Sequence, residues 1–201
     1  YELVWTVIQR IVNIAQPVHR ELEHIAFHDP LTGLYSRHML RQFIEREISH
    51  VYRNGQPLSL AILDIDHFKE VNDQFGHDVG DQILKQLAEL FKNSCRSTDL
   101  ASRYGGEEFI AVLPNTNQNA SLIWAERMRE RAEEALRTPD ERKVTISIGV
   151  ATLLINADLS NDTPVQIASD QLFKKADNAL YEAKDAGRNR VVTSEISITQ
   201  E

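Results

Sequence analysis

Cysteine is nearly absent from this chain: Cys95 is the only one in 201 residues. No intrachain disulfide can form, which excludes the disulfide-stapled secreted scaffolds and suits a reducing, cytoplasmic setting. Long apolar runs are lacking as well. No uninterrupted stretch approaches the roughly 20 residues a helix needs to cross a bilayer, so no direct membrane insertion is expected of this segment, and no signal peptide is visible. Positive charge is in deficit, with 22 Lys and Arg against 30 Asp and Glu and a formal net charge of -8. That balance argues against a nucleic-acid backbone or an anionic membrane surface as the main partner. It leaves a nucleotide open, because local lysines and a metal ion reverse the field inside a pocket. Internal repeats and low-complexity tracts are missing. What remains is a globular composition, 42% hydrophobic and 26% charged, at a length that suits one domain plus an extra element.

Two units are expected. Val4, Ile8, Ile11, Ala15, Val18, Leu22 and Ile25 recur at gaps alternating four and three, the rhythm of a coiled-coil seam. Residues 1–28 are therefore expected to form an N-terminal helical stalk, with an amphipathic helix lying on its own domain as the alternative. Pro17 either kinks this helix or starts a second one. Asp29-Pro30 ends it, since the residue before proline is pushed out of the α region. In residues 29–201, Ser36 reads as the N-cap of a helix to about Arg53. Leu58 to Leu63 reads as a buried central strand ending at Asp64, and Phe68 to Phe75 as a short helix with Asp66 as its cap. The spacing of Val79, Ile83, Leu84, Leu87, Leu90 and Phe91 makes an amphipathic helix. A hairpin turns at Gly105-Gly106, a helix runs from about Gln118 to Leu136, and a strand from Val144 to Leu154. A polar loop, a helix from about Pro164 to Ala186 and a strand from Arg190 to Thr193 close the chain. This is an α/β (α+β) pattern with a mostly antiparallel central sheet flanked by helices.

The run Arg103-Tyr104-Gly105-Gly106-Glu107-Glu108-Phe109 carries the most chemistry. Paired glycines between strand-like runs suit a tight turn that demands positive φ, and a turn without side chains lets phosphates approach the backbone. The carboxylates of Glu107 and Glu108 follow where a hard divalent cation is wanted. Taken alone, the same residues also describe an ordinary hairpin with a solvated acidic start. Asp64, at the end of its strand, meets Glu107 if the two strands are neighbours; an isolated Asp there would be a helix cap. The passage from Ile65 to Lys69 presents amides at a helix N-terminus, where anions bind. Lys184 and Arg188, four apart, can face one way, or simply form a solvated basic helix end. His24 and His28 are also four apart, but no third ligand makes a zinc site of them.

Further blocks accompany this run: Asp29-Pro30-Leu31-Thr32-Gly33-Leu34, Leu63-Asp64-Ile65-Asp66-His67-Phe68-Lys69, Asn72-Asp73, Phe75-Gly76-His77, Gly80-Asp81, Ser147-Ile148-Gly149-Val150, Ala179-Leu180-Tyr181-Glu182-Ala183-Lys184 and Gly187-Arg188-Asn189. Together they resemble the GGDEF family, the diguanylate cyclases, in its GGEEF variant, from about Asp29 to Val192. The resemblance implies a fold similar to the palm of nucleotidyl cyclases and polymerases. It implies condensation of two GTP into cyclic di-GMP by a homodimer, with magnesium, or alternatively manganese, as the cofactor. Asp64, the Ile65 carbonyl, Glu107 and Glu108 would hold the metal, with Glu107 and Glu108 as the catalytic carboxylates. Phe68, Lys69, Asn72, Asp81, Gly105, Gly106, Lys184 and Arg188 would bind the substrate. Asn72 and Asp81 sit where the family reads guanine, and an acceptor-only carboxylate matches the adjacent N1 and N2 donors of that base. Arg96-Ser97-Thr98-Asp99 and Arg127 match the family's inhibitory product site. An upstream sensor domain, absent from this chain, is expected, the chain opening on Tyr1. The rival is a catalytically silent GGDEF module that binds GTP or cyclic di-GMP as a receptor; a stalk-driven dimerisation adaptor is a third reading, and an adenylyl-cyclase or polymerase-like transferase is disfavoured by Asn72 and Asp81.

Overall fold

The computed structural model describes Trp5 and residues 27–155 and 164–198, with the backbone alone at 155, 197 and 198. The heptad positions from Val4 to Ile25, the Pro17 break and His24 lie outside the described residues, as does the expected loop over 156–163.

The central strand forms because its apolar run has no polar face to turn outward. β1 (Leu58–Ile65) is buried at every position and lies in the middle of a five-stranded sheet. Successive side chains alternate between faces, so helices must cover both. Ala61, Leu63 and Ile65 join a core with α2 (Phe68–Phe75), α3 (His77–Ser94) and α4 (Gln118–Ala135). Leu58, Leu60 and Ile62 join a second core with α1 (Arg37–Asn54) and α5 (Val165–Asp185). The other strands are β2 (Leu100–Gly105), β3 (Glu108–Pro114), β4 (Ile146–Ile155) and β5 (Val191–Ile198), in the spatial order β2-β3-β1-β4-β5. The β2–β3, β3–β1 and β1–β4 pairs are antiparallel, and only β4–β5 is parallel. The mostly antiparallel mixed sheet is as the sequence suggests.

Helix boundaries agree closely with the sequence pattern, and α2 coincides with it. Gly55 ends α1 in the left-handed region, φ 65°, and Asn117 caps α4 by accepting from the Ala120 amide. Gly149 does a different job. A β-carbon there would strike the backbone of α5 at Ala176 and Leu180, so this glycine lets α5 lie directly on β4.

Four local expectations need correction. Neither Gly105 nor Gly106 has positive φ, so the turn does not need glycine for its backbone; a β-bulge between Arg103 and Gly105 makes the bend instead. Glu107 belongs to the turn, and β3 begins at Glu108. The final strand runs on to Ile198 because parallel pairing with β4 continues to Ile155. Asp66 does not cap α2; its carboxylate bonds Thr145, Ser147 and Asn189 instead.

Candidate active site

Register brings the first carboxylates together. Asp64 on β1 lies directly opposite Glu108 on β3, and opposed residues of an antiparallel pair share a face. By alternation from Leu58, Leu60 and Ile62, that face is the one covered by α5. The close seating of α5 on Gly149 carries its last turn to the same place, and Lys184 Nζ lies 2.9 Å from Asp64 Oδ1. Asp64 is buried, and burial pushes its carboxyl up to about 6. The Lys184 contact works against this rise, while Glu107 and Glu108 add to it. Three acidic groups thus act on one buried point with a single lysine to balance them.

The other face of the sheet end opens into a cleft of about 520 Å3 between α2, α3 and the β2–β3 turn. Phe68, Lys69, Asn72, Asp81, Gly106 and Glu107, all nominated from the sequence, line it. Asn72 Oδ1 is buried with no hydrogen-bond partner among the described residues. It occupies the space left by Gly80, where any β-carbon would collide with it. A buried amide oxygen without a partner costs about 1–3 kcal/mol, so this is a polar atom that gains from a ligand's donor. Gly106 is the complementary case: a β-carbon there would meet nothing within 4 Å. The protein does not require glycine at 106, and the space beside it is open. Asp64, Ile65, Gly105, Glu108, Lys184 and Arg188 stand outside the cleft walls, on or behind the strand end.

Arg103 carries no assigned role in the sequence pattern, yet the fold places it at the cleft. Its guanidinium donates twice to the Gly106 carbonyl, at 2.7 and 3.1 Å, and grips both oxygens of Asp29, at 3.1 and 3.3 Å. Asp29 also accepts from the Thr32 amide and hydroxyl, and these bonds outweigh burial to hold its carboxyl below the usual range. The turn beside the cleft is therefore tied to the segment that follows residue 28. Both residues stood in noted blocks, but 74 positions separate them and no local signal joins them. His77, Asp73 and Leu84 also line the cleft, and His77 is the first residue of α3.

The residue set fits a hard divalent cation. Burial first, and then the charges of Glu107 and Glu108, lift the Asp64 carboxyl to about 6, so a cation placed here would stabilise its ionised form. Among the described residues no group of three or more His, Cys, Asp or Glu side chains forms a ready metal cage. Magnesium seldom uses one; it keeps waters and phosphate oxygens and needs only one or two carboxylates.

On the far end of α3, Arg96, Asp99 and Arg127 line a second cleft of about 200 Å3, with Ile123 and Trp124. Asp99 Oδ2 accepts from the Arg96 amide at 2.7 Å, so the four-residue turn is closed by its own side chain. Burial raises the Asp99 carboxyl, against the lowering effect of Arg96. Arg96 and Asp99 also face a neighbouring cleft of about 340 Å3 with Tyr35 and Cys95, whose thiol burial pushes up to about 12.

A mixed sheet with a glycine turn, an opposed pair of strand-end carboxylates and a nucleotide-sized cleft defines a class. The family model for the diguanylate cyclase GGDEF domain matches residues 26–190, and the chain belongs to that family. Among its relatives is the diguanylate cyclase DosC of Escherichia coli K12, 38% identical over 186 residues, which cover 92% of this chain and 39% of DosC. The chain thus spans about two fifths of the length of that relative. Among solved structures, the coiled coil and GGDEF domain of DgcB from Caulobacter crescentus, in complex with c-di-GMP, has a TM-score of 0.75 at 28% identity, covering 94% of this chain and all of that one. The active GGEEF domain of a diguanylate cyclase from Vibrio cholerae has a TM-score of 0.70 at 35% identity, covering 79% of this chain and 96% of that one.

Proposed function

We propose that the chain is a diguanylate cyclase that joins two GTP into cyclic di-GMP and releases two pyrophosphates. The observation that carries this reading is that Asp64 and Glu108 oppose each other across one strand end and Glu107, which acts on the same buried carboxyl, also lines the cleft beside Asn72, Asp81 and the bare Gly106. Guanine enters beside Asn72 and Asp81, with Asp81 accepting from its N1 and N2 donors. The phosphates lie along Gly106 toward the first turn of α2 and Lys69, where amides without intrahelical partners point outward. Lys184 and Arg188 supply the positive charge that the triphosphate needs.

Asp64, the Ile65 carbonyl, Glu107 and Glu108 would hold divalent ions, magnesium or manganese, which when bound neutralise phosphate charge and acidify the attacking hydroxyl. In each of two rounds the 3′-oxygen of one nucleotide bonds to the α-phosphorus of the other. The bond from that phosphorus to pyrophosphate breaks, and Glu107 assists removal of the hydroxyl proton. One cleft holds one GTP, so two domains must face each other, and a homodimer is part of the chemistry. The stalk would bring the domains together and pass on the state of an upstream sensor. Cyclic di-GMP would inhibit by binding at Arg96, Asp99 and Arg127, whose forked guanidinium groups suit phosphates and guanine edges. No described helix is long and apolar enough to cross a membrane, and a cytoplasmic location follows from the use of GTP.

The test is product formation from GTP and magnesium over a range of protein concentration, beside Glu107→Ala. Cyclic di-GMP that rises more steeply than linearly with protein and is missing from the variant supports the reading. Tight GTP binding without product at any concentration replaces it with a silent receptor module.

A further inference from the structure

Three of the sequence blocks contribute residues that the cleft leaves unused, and they meet at Asp66. This carboxylate is buried and accepts at both oxygens: Oδ1 from the Ser147 hydroxyl at 2.7 Å, Oδ2 from the Thr145 hydroxyl at 2.7 Å and from the Asn189 amide at 3.0 Å. Its own amide donates to the Thr145 carbonyl at 2.9 Å. Asp66 is thus bonded to β4 and its approach, and to the turn between α5 and β5, 123 residues away. Only Ile65 separates it from Asp64.

That turn is strained. Arg188 and Asn189 take φ 63° and 45° in succession, after Gly187 at 108°. Consecutive left-handed residues other than glycine persist only where their surroundings over-determine them, and such strain collects at functional sites. Here the hold is two-sided. The Arg188 amide bonds the Ala183 carbonyl at 3.0 Å. The Asn189 side chain accepts from Arg129 at 2.9 Å and donates to Glu133 at 3.2 Å, while its backbone amide donates to Asp66. Glu133 is itself pinned by Lys143 at 3.0 Å.

We propose that Asp66 is a positioning residue: it locks the α5–β5 turn to the end of β1, so that Arg188 and Lys184 keep a fixed distance from Asp64 and Ile65. The inference rests on the GTP-binding reading of the cleft and adds to it a device that none of the substrate-contacting residues contains. Asp66 touches no reacting atom. It acts through Arg188, by sparing the phosphates the cost of ordering that arm.

A double-mutant cycle tests this, using a GTP analogue with a methylene between the α- and β-phosphorus and calorimetric titration of the full chain. Asp66→Asn, which sets an amide donor among donors, is expected to weaken the analogue about tenfold, the usual cost of losing a supporting partner. Arg188→Ala is expected to cost a similar factor, and the double variant no more than either alone, because the two act in series. Multiplying losses of about a hundredfold, or full affinity in Asp66→Asn beside a lowered Tm, overturn the proposal and leave Asp66 as a purely structural tie. Should Asp66→Asn fail to fold, Glu133→Ala loosens Asn189 from the solvent side. A loss of about threefold that vanishes in the Arg188→Ala background supports the proposal, and no loss overturns it. A wild-type chain that makes no cyclic di-GMP yet shows the coupled cycle removes the cyclase reading and leaves this inference standing.

Discussion

The cleft beside Gly106 and the cleft below Trp124 were both marked by short sequence patterns, and they differ in how far their hydrogen-bonding groups are met by the protein itself. At the strand end beside the first, Asp64 is lifted to about 6; in its walls Asn72 Oδ1 is buried without a partner among the described residues, and Gly106 faces open space. Its parts are held in a state that the protein alone does not satisfy. In the second, Asp99 is closed onto the Arg96 amide and Trp124 Nε1 donates to the Ser94 carbonyl at 2.8 Å. This turn closes on itself, although burial raises the Asp99 carboxyl as it does that of Asp64. Unmet charge and unmet hydrogen bonds destabilise a fold, so they persist where a ligand offsets them. A turn closed by its own side chain has less need of one, in keeping with the proposal that this cleft takes a regulatory ligand and not the substrate.

The comparison breaks first at Asp64. Asp64→Asn is expected to cut cyclic di-GMP formation by about a thousandfold under saturating GTP and magnesium, since on the proposed reading one of few hard ligands is lost; a loss under tenfold would leave Asp64 as an ion-pair partner of Lys184 and no more. Gly106→Ala comes next. With no protein atom within 4 Å of the new methyl group and no positive φ to violate, Tm should stay within about 2 °C while turnover falls by about a hundredfold. A drop in Tm with activity kept would mean that the glycine serves the fold.

Stability offers a sharper view of the same contrast. The Asp64 carboxyl has its pKa raised in the folded chain above its ordinary 3.8, to about 6, so folding favours the protonated form. The benefit is present in full below about pH 4 and is lost as pH rises through 6. In chelator, Asp64→Asn should therefore be more stable than wild type by roughly 2 kcal/mol at pH 8, discounted for residual solvent screening, with the gap closing toward pH 4. Chemical denaturation at the two pH values reads this directly, and a variant less stable at pH 8 would mean that the Lys184 pairing dominates. The smallest effect is expected at the second cleft: Arg96→Ala should leave the initial rate unchanged and weaken product inhibition about tenfold, and unchanged inhibition removes that assignment.

Much of this was legible in the residues. The continuous apolar run of β1 required a strand covered on both faces, and the boundaries of α2 were readable from local pattern alone. The blocks around Asp64, Asn72, Asp81 and Gly106 marked residues that the fold brings to one sheet end. Local reasoning failed where it gave each residue a nearby partner. Asp66 stands before a helix and looked like its cap; its partners lie 79, 81 and 123 residues on. The two glycines looked like a positive-φ turn, yet a bulge at Arg103 makes the bend.

Within the described residues the sequence by itself determined which segments are helices and strands, since those depend on spacing and propensity within a few residues. It also determined which side chains carry chemistry, since residue type sets donor, acceptor and charge. Only the tertiary structure decided which of them meet. Sheet order put β1 between β3 and β4, register set Asp64 against Glu108, and the bare backbone at Gly149 let α5 deliver Lys184 to the same carboxylate. Arg103 with Asp29, and Asp66 with Asn189, are joined across the fold for the same reason: such bonds depend on global packing, which no local stretch of chain encodes.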